Sequence, residues 1–434
     1  MNFIRDRFRV FTSTKEKKAL VGNFFSLSFL QVANYIFPLI TLPYLVRVLG
    51  VEKFGLVAFA QAFIQYFVVL TDYSFSLSAT RAISVNRQDR QKLSEIFSSV
   101  TVIKLCCMFL SFIILCTIVF LVPKFRQDWV IYLFSFGLIF DSVLFPVWFF
   151  QGMEEMHYIT SRNIAAKLIF TLAILIFIKD KSDYIYVPLI NSLGFIAAGL
   201  ISLRPLFFRF QINFVFPTLN QVKCQLSDGM HIFISKIAIN LYTTTNTFVL
   251  GLFTNNMVVG YYAAGEKIVR VAINMFNPIF QATYPHFAKS AMESRDKTIE
   301  KMKKLLRLTV MVSAPLFVLF IVFANQIVQV LLGPKFLDSV IVVRILSPLL
   351  VIIPFSFIFA NLGLLSFKLD RYFLGIYVFG AILNIILLAI FLGLVKLGSV
   401  GSAWSNVITE IVLAFVMFFV LKASLISGRA NFKT

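Results

Sequence analysis

The stretch Ile411–Val420, which reads IVLAFVMFFV, places ten apolar residues in a row. A strand of a membrane barrel alternates apolar and polar side chains, so this run does not fit one. A helix satisfies its backbone hydrogen bonds within the segment, as a chain in lipid requires. The stretch therefore indicates a membrane-spanning helix.

The composition extends this interpretation to the whole chain. Of its 434 residues, 59% are hydrophobic and 14% are charged, whereas soluble domains are about 45–50% apolar and about 25% charged. The net charge of +20 is typical of nucleic-acid binding, but 52 phenylalanines would cover a soluble protein with apolar patches. We therefore expect a polytopic membrane protein and no nucleic-acid partner.

A spanning helix needs about 20 mostly apolar residues, and twelve segments meet that need. They are 19–46, 54–80, 95–121, 129–150, 160–179, 184–208, 229–252, 257–286, 304–332, 340–366, 372–395 and 399–422. With the N-terminus in the cytoplasm, 27 lysines and arginines fall on the cytoplasmic side and eight on the other. This bias predicts that both termini are cytoplasmic. The count of 27 includes Arg162 and Lys167.

An offset of 205 residues relates the first two helices of the two halves, because Gly55–Ala58 aligns with Gly260–Ala263. Six helices per half return the chain to the same side, so the repeat is parallel. The sequence thus predicts an all-α fold with twelve spans in two pseudo-symmetric six-helix lobes. The expected boundaries are 1–210 for the N-terminal lobe, 211–228 for a cytoplasmic linker and 229–434 for the C-terminal lobe.

Polar residues repeat with the same offset and mark one face of each helix. Predicted helix 2 carries Gln61, Gln65, Asp72 and Ser76, and predicted helix 8 carries Glu266, Arg270, Asn277 and Gln281 at the matching positions, with Asn274 on the same side. Predicted helix 7 adds Lys236, Asn240, Thr243 and Thr247 on one face. A charge at the bilayer centre costs about 2.5–3.5 kcal/mol unless it faces protein or water. These faces therefore predict a shared polar cavity.

The candidate substrate-binding residues of this cavity are Lys236, Lys267, Arg270, Gln61, Gln65, Asn240 and Asn274. Two alternatives stay open for the cations. Glu266 and Arg270 are four residues apart and suit mutual neutralisation in a packed interior. Lys236 lies only about 10 Å from the cytoplasmic end and suits snorkelling to the interface.

Four carboxylates are candidates for ion coupling: Asp72, Glu266, Asp141 and Glu410. Asp72 has Arg81 nearby in sequence as an alternative partner. Asp141 and Glu410 lie deep in predicted helices 4 and 12, where an unpaired carboxylate would be protonated, and structural hydrogen bonding is the alternative. The four cysteines lack metal-like spacing, so we expect helix packing from them and no metal, catalytic residue or cofactor beyond H⁺ or Na⁺ as a coupling ion.

The residues Asn34–Gly50 (NYIFPLITLPYLVRVLG) and Asp72–Arg81 (DYSFSLSATR) resemble bacterial polysaccharide transporters of the O-antigen flippase type. Ala282–Phe287 (ATYPHF) is similar to the Pro-containing end of helix 8 in that family. The family commonly has glycine at the place of Ser74. The strong resemblance covers the first 100 residues, and the remainder matches in helix count and spacing.

The resemblance implies a MATE-like fold of the multidrug/oligosaccharidyl-lipid/polysaccharide exporter superfamily, with helices 1, 2, 7 and 8 lining a central cavity. It implies an undecaprenyl-diphosphate-linked glycan as substrate, moved to the periplasmic leaflet of the bacterial inner membrane by alternating access. Membrane lipids, a polysaccharide polymerase and a chain-length regulator are the implied partners. Lys267 and Arg270, helped by Lys236, would then attract the diphosphate.

Two other functions are weighed against this one. A multidrug/cation antiporter of the same fold would favour an acidic cavity, whereas three cations lie near this midplane. A membrane glycan polymerase or ligase would need a sizeable periplasmic loop with catalytic residues, and the longest predicted outer loop has only about ten residues. The sequence thus favours a transporter over an enzyme.

Overall fold

The computed structural model describes residues 15–426, and side chains from Leu30 onward apart from a few positions. Thr243, Gln281, Ala282, Tyr284 and Pro285 belong to the predicted stripes and motifs but lie outside the described side chains. Every regular element between residues 15 and 426 is helical. The predicted all-α class is therefore confirmed.

The helices of the first half follow one another through short connections. They are α1 (Lys15–Asp72), α2 (Phe75–Val85), α3 (Arg90–Leu121), α4 (Pro123–Arg126), α5 (Trp129–Leu144), α6 (Val147–Gly152), α7 (Met156–Phe177) and α8 (Tyr186–Phe208). Gly50 interrupts α1 with a φ of 71°, so α1 comprises two helical arms. The left-handed residues Tyr73 and Ser74 then separate α1 from α2.

The second half is built in the same way. Its helices are α9 (Leu219–Phe253), α10 (Asn256–Asn274), α11 (Asn277–Glu293), α12 (Arg295–Val322), α13 (Ala324–Leu331), α14 (Ser339–Leu346), α15 (Leu349–Phe357), α16 (Asp370–Leu388) and α17 (Gly398–Ile426). Two π-helical segments, Ile358–Leu365 and Ala389–Leu394, extend α15 and α16. The Asn255 side chain accepts a hydrogen bond from the Val258 amide and so caps α10.

Nine helical stretches within residues 15–426 are long and apolar enough to span a membrane. One of them, Ala33–Val85, includes the break at Gly50 and covers part of predicted helix 1 and all of predicted helix 2. Predicted helices 7 and 8 coincide with α9, α10 and α11, which are not among the nine. The multi-pass helical architecture is confirmed, and the count of twelve spans stays a prediction.

The chain divides into two compact units. The N-terminal unit comprises the chain up to Thr41 and Phe63–Ile237, and the C-terminal unit comprises Leu42–Ala62 and the chain from Ala238. Phe75, Trp148 and Phe149 lie in the core of the N-terminal unit. Ile358, Leu362 and Met417 lie in the core of the C-terminal unit. The predicted lobe boundaries stay a prediction.

Within the C-terminal unit, the second arm of α1 crosses α10 with its backbone in close contact. A Cβ atom on Gly55 would lie 1.8 Å from the Asn256 carbonyl oxygen, and one on Gly260 would lie 2.2 Å from the Val51 carbonyl oxygen. Adding 205 converts Gly55 to Gly260 and Val51 to Asn256, so the two contacts exchange equivalent positions. Such reciprocal contacts are what a two-fold axis produces. The predicted repeat is therefore visible in the packing.

Two basic residues of the predicted cytoplasmic count lie on α7. Arg162 is buried, and Lys167 contacts the Asn34 side chain. The sidedness of the basic residues stays a prediction.

Candidate functional site

Asp72, the last residue of α1, lies between two lysines of the N-terminal unit. Lys104 Nζ on α3 is 3.1 Å from Asp72 Oδ1, and Lys236 Nζ on α9 is 2.8 Å from Asp72 Oδ2. Lys104 also donates to the Ser142 carbonyl oxygen at 3.0 Å, and Lys236 donates to the Ser76 hydroxyl. We call Asp72, Lys104, Lys236 and Ser76 the Asp72 cluster.

The chain around Ser74 brings α9 to the end of α1. Ser74 Oγ donates to the Gly229 carbonyl oxygen at 2.9 Å, and the Tyr73 hydroxyl donates to the Leu226 carbonyl oxygen at 3.3 Å. The Tyr73 ring stacks on Phe233 with centroids 4.4 Å apart. These contacts hold Lys236, two turns further along α9, within reach of Asp72.

The Asp72 cluster revises two of the alternatives drawn from the sequence. Asp72 pairs with Lys104 and Lys236 rather than with Arg81, and Lys236 is engaged by a carboxylate rather than free to snorkel. The side chain of Lys104 is only 4% exposed. A lysine so deeply placed needs a counter-charge. Because the cluster has two ammonium groups and one carboxylate, its formal charge is +1. Lys104 was overlooked as a functional candidate, although a lysine inside a predicted span was itself the signal.

Ser74 has a backbone φ of 68°, in the left-handed region that favours glycine. A non-glycine residue there destabilises the fold by about 1–2 kcal/mol. The hydrogen bond from Ser74 to Gly229 stabilises the fold by about 1 kcal/mol. We therefore expect Ser74→Gly to change the free energy of unfolding by less than about 1 kcal/mol. Ser74→Ala keeps the strain, loses the bond and should be the less stable variant. Thermal unfolding of both variants in detergent checks this order, and an alanine variant more stable than the glycine variant would contradict it.

The second polar group lies in the C-terminal unit on α10. Arg270 Nη2 and Nε are 3.0 and 3.1 Å from Glu266 Oε1, and the Thr247 hydroxyl on α9 is 3.3 Å from Glu266 Oε2. The structure thus shows the mutual neutralisation of Glu266 and Arg270 that their spacing allowed. In this state Arg270 is already occupied by a carboxylate.

Lys267 differs from its neighbours on α10. It is exposed, and its Nζ lies 5.2 Å from the centre of the buried Phe54 ring, a cation–π distance. No ion pair found within residues 15–426 includes Lys267. It is the predicted cation that is most available to an incoming anion.

The predicted glycan-facing amides fall into both units. Gln65 is exposed in the N-terminal unit, whereas Gln61 and Asn240 are half-buried and Asn274 is exposed in the C-terminal unit. The Asn274 Oδ1 atom accepts a hydrogen bond from Asn277 at 3.4 Å. Each unit therefore carries polar side chains on the helices that the sequence selected.

Asp141 has a partner that the sequence analysis did not identify. Its carboxylate forms an ion pair with Arg162 of α7, whose side chain is 3% exposed. The guanidinium of Arg162 lies 4.5 Å from the Phe145 ring centre and 5.0 Å from that of Phe195. Of the two possibilities left open for Asp141, the structure shows a structural partner, because a buried arginine from another helix forms an ion pair with it.

Glu410 on α17 is 4% exposed and belongs to a buried polar region of the C-terminal unit. Asn384 Nδ2 on α16 has three acceptors within reach of its two N–H groups, in Ser405, Thr409 and Asn246 at 3.1, 3.3 and 3.4 Å. The spacing of Ser402, Ser405, Asn406 and Thr409 puts them on one face of α17. The sequence contains this spacing, but these four residues were not among the predicted site residues.

No group of three or more metal-ligating side chains was found in the part of the chain that the structure describes. The polar groups instead suit the exchange of a carboxylate for another anion at the same cation. Asp72 and Glu266 each hold cations that an anionic ligand also attracts. The arrangement therefore suits the binding of phosphate groups.

Comparisons with known proteins agree with this description. An Escherichia coli (strain K12) protein named "Putative O-antigen transporter" is 31% identical over 405 residues, which is 93% of this chain and 97% of that protein. Solved structures with the same fold include an inward-facing multidrug resistance MATE family transporter of the MOP superfamily, with TM-score 0.73, 14% identity and coverage of 91% of this chain and 96% of the other. The lipid II flippase MurJ, in an inward closed conformation, has TM-score 0.70, 12% identity and coverage of 93% and 87%. Residues 20–291 match the family described as polysaccharide biosynthesis protein, and the chain belongs to that family.

Proposed function

We propose that the chain is a flippase for undecaprenyl-diphosphate-linked O-antigen or polysaccharide repeat units. It moves them by alternating access from the cytoplasmic to the periplasmic leaflet of the bacterial inner membrane, with both of its own termini in the cytoplasm. The similarity to an O-antigen transporter over nearly the whole chain supports a transporter rather than an enzyme. A polysaccharide polymerase and a chain-length regulator would act on the delivered units.

The Asp72 cluster is the observation that carries the proposal. Two ammonium groups share one carboxylate at Asp72 in the N-terminal unit, and Lys267 is an exposed cation of the C-terminal unit. This excess of positive charge favours an anionic ligand such as a diphosphate. It disfavours the alternative of a multidrug/cation antiporter, whose cationic substrates would be repelled.

The ion pairs suggest how binding and coupling are linked. In the N-terminal unit a phosphate group would compete with Asp72 for Lys236, and in the C-terminal unit it would compete with Glu266 for Arg270. At either place substrate binding exchanges one anion for another. Protonation of either carboxylate, or Na⁺ bound to it, weakens its hold on the cation and favours the diphosphate. Asp141 and Glu410 stay further candidates for the coupling ion. Gln61, Gln65, Asn240 and Asn274 would meet the glycan, while the prenyl tail remains in lipid.

The double substitution Lys267→Ala and Arg270→Ala tests the site. We expect loss of surface glycan, because the variant removes two of the cations that attract the diphosphate. The measurement is surface-glycan content in a deletion strain that expresses the variant, together with its level in the membrane. The exposed lysines Lys335 and Lys396 supply the control, since their double alanine variant removes the same charge elsewhere in the same unit.

Normal export by the double variant would contradict this assignment of the site. A deletion that alters drug susceptibility without any glycan phenotype would instead support the antiporter. Both outcomes are measured in the same strains.

A further inference from the structure

Two adjoining cavities run along α17 on the C-terminal unit, apart from the polar groups of α9 and α10. The first has a volume of about 240 Å³, and the second of about 350 Å³. Phe359 and Phe418 line both cavities, so the two form one continuous groove. We call it the α17 groove.

One part of the α17 groove is apolar. Its lining includes Ile352, Phe355, Ile411, Ala414 and Phe415, with no charged or polar side chain among the residues that line this cavity. Phe359 and Phe418 pack edge to face with ring centres 5.5 Å apart where the two cavities meet. Such a surface suits a hydrocarbon chain.

Three basic residues border the other end of the α17 groove among apolar side chains. Arg295, Lys303 and Lys422 line the second cavity, and no acidic residue lines it with them. The Arg295 Nε atom is buried and has no hydrogen-bond partner. An anionic group here would satisfy this orphan donor.

The length of the groove matches one leaflet of a membrane. From Ile411 to Lys422 the helix α17 rises about 16 Å, at about 1.5 Å per residue. Half of a hydrocarbon core of about 30 Å is about 15 Å. A lipid whose head lies at the basic residues would therefore place its chain along the apolar part and reach the bilayer midplane.

We propose that the α17 groove binds an anionic phospholipid, with its phosphate at Arg295, Lys303 and Lys422 and one acyl chain along Phe355, Phe359 and Phe415. The transported diphosphate does not fill this role, because the cations proposed for it lie on α9 and α10. The groove is thus a second lipid site. Its basic residues meet the phosphate of such a lipid, and its apolar cavity meets the acyl chain.

Native mass spectrometry of the purified full chain, titrated with phosphatidylglycerol, tests the proposal. The triple variant Arg295→Gln, Lys303→Gln and Lys422→Gln should bind it at least tenfold more weakly, since each cation contributes about 1 kcal/mol, or about fivefold, toward anionic lipid. The variant Ala414→Trp should also lose binding, because the indole fills the apolar part without changing the charge. Thermal unfolding of each variant shows whether it is folded.

The matched control neutralises Lys297, Lys304 and Arg307, which lie on the same helix α12 but do not line the groove. It should bind phosphatidylglycerol as the unmodified chain does. Equal loss in both triple variants would overturn the site, and so would equal binding of phosphatidylcholine. Tighter binding of undecaprenyl phosphate than of phosphatidylglycerol would overturn the assignment to a phospholipid. If Ala414→Trp leaves the binding of both inorganic phosphate and phosphatidylglycerol unchanged, the apolar part plays no role in binding. That result would overturn the lipid site.

Discussion

The Asp72→Ala variant will be destabilised by about 3–5 kcal/mol, the typical cost of removing one partner from a buried ion pair. The reason is that Lys104, with a side chain only 4% exposed, and Lys236 would then face each other without the carboxylate between them. The loss is measured by thermal unfolding in detergent, and by the level of folded protein in the membrane. Glu300→Ala, which removes an exposed carboxylate on α12, serves as the control.

A second substitution separates charge from shape. In Asp72→Ala with Lys104→Met, the deeply placed cation is gone, and a methionine of similar length fills its space. We expect this double variant to recover more than half of the lost stability. A double variant no more stable than Asp72→Ala would contradict the account of the cluster.

The Gly55→Ala variant is the second large effect. A methyl group at this position would lie 1.8 Å from a backbone oxygen of Asn256, so α1 and α10 must move apart. Overpacking costs about 1–3 kcal/mol and occasionally more, and we expect the upper end because a backbone atom cannot rotate away. Gly375→Ala, where nothing lies within 4 Å of the added atom, is the matched control and should be neutral in packing.

The internal repeat adds a quantitative expectation to this experiment. Gly260→Ala introduces the equivalent clash, 2.2 Å from the Val51 carbonyl oxygen, and should cost a similar amount. The double variant should cost less than the sum, because helices separated by the first methyl group already accommodate the second. Additive losses, or one neutral glycine, would contradict the reciprocal packing.

Periodicity within a single helix was the most informative signal in the sequence. It predicted the helix positions and supplied the pairing of Glu266 with Arg270 as one of two alternatives, because both depend on spacing along one segment. The contact of Gly55 with the chain near Gly260 then shows that residues aligned by the repeat are also neighbours in the fold.

Partners that come from different helices were not predictable in this way. Asp72 meets Lys104 across 32 residues of chain, and Asp141 meets Arg162 on the following long helix. Only the packing of the N-terminal unit decides such pairs. The left-handed turn at Ser74 explains why glycine is common at that place in the resembled family, since a serine there must be held by a hydrogen bond.

The leaflet location of lipid-linked repeat units tests the central claim most directly. Cells that lack this chain are compared with cells that express it, and the undecaprenyl-diphosphate-linked units on each side of the inner membrane are quantified. We predict that the units accumulate on the cytoplasmic leaflet without the chain and return to the periplasmic leaflet when it is expressed. Units that reach the periplasmic leaflet equally well in its absence, in a strain with no other flippase for them, would contradict the proposed function.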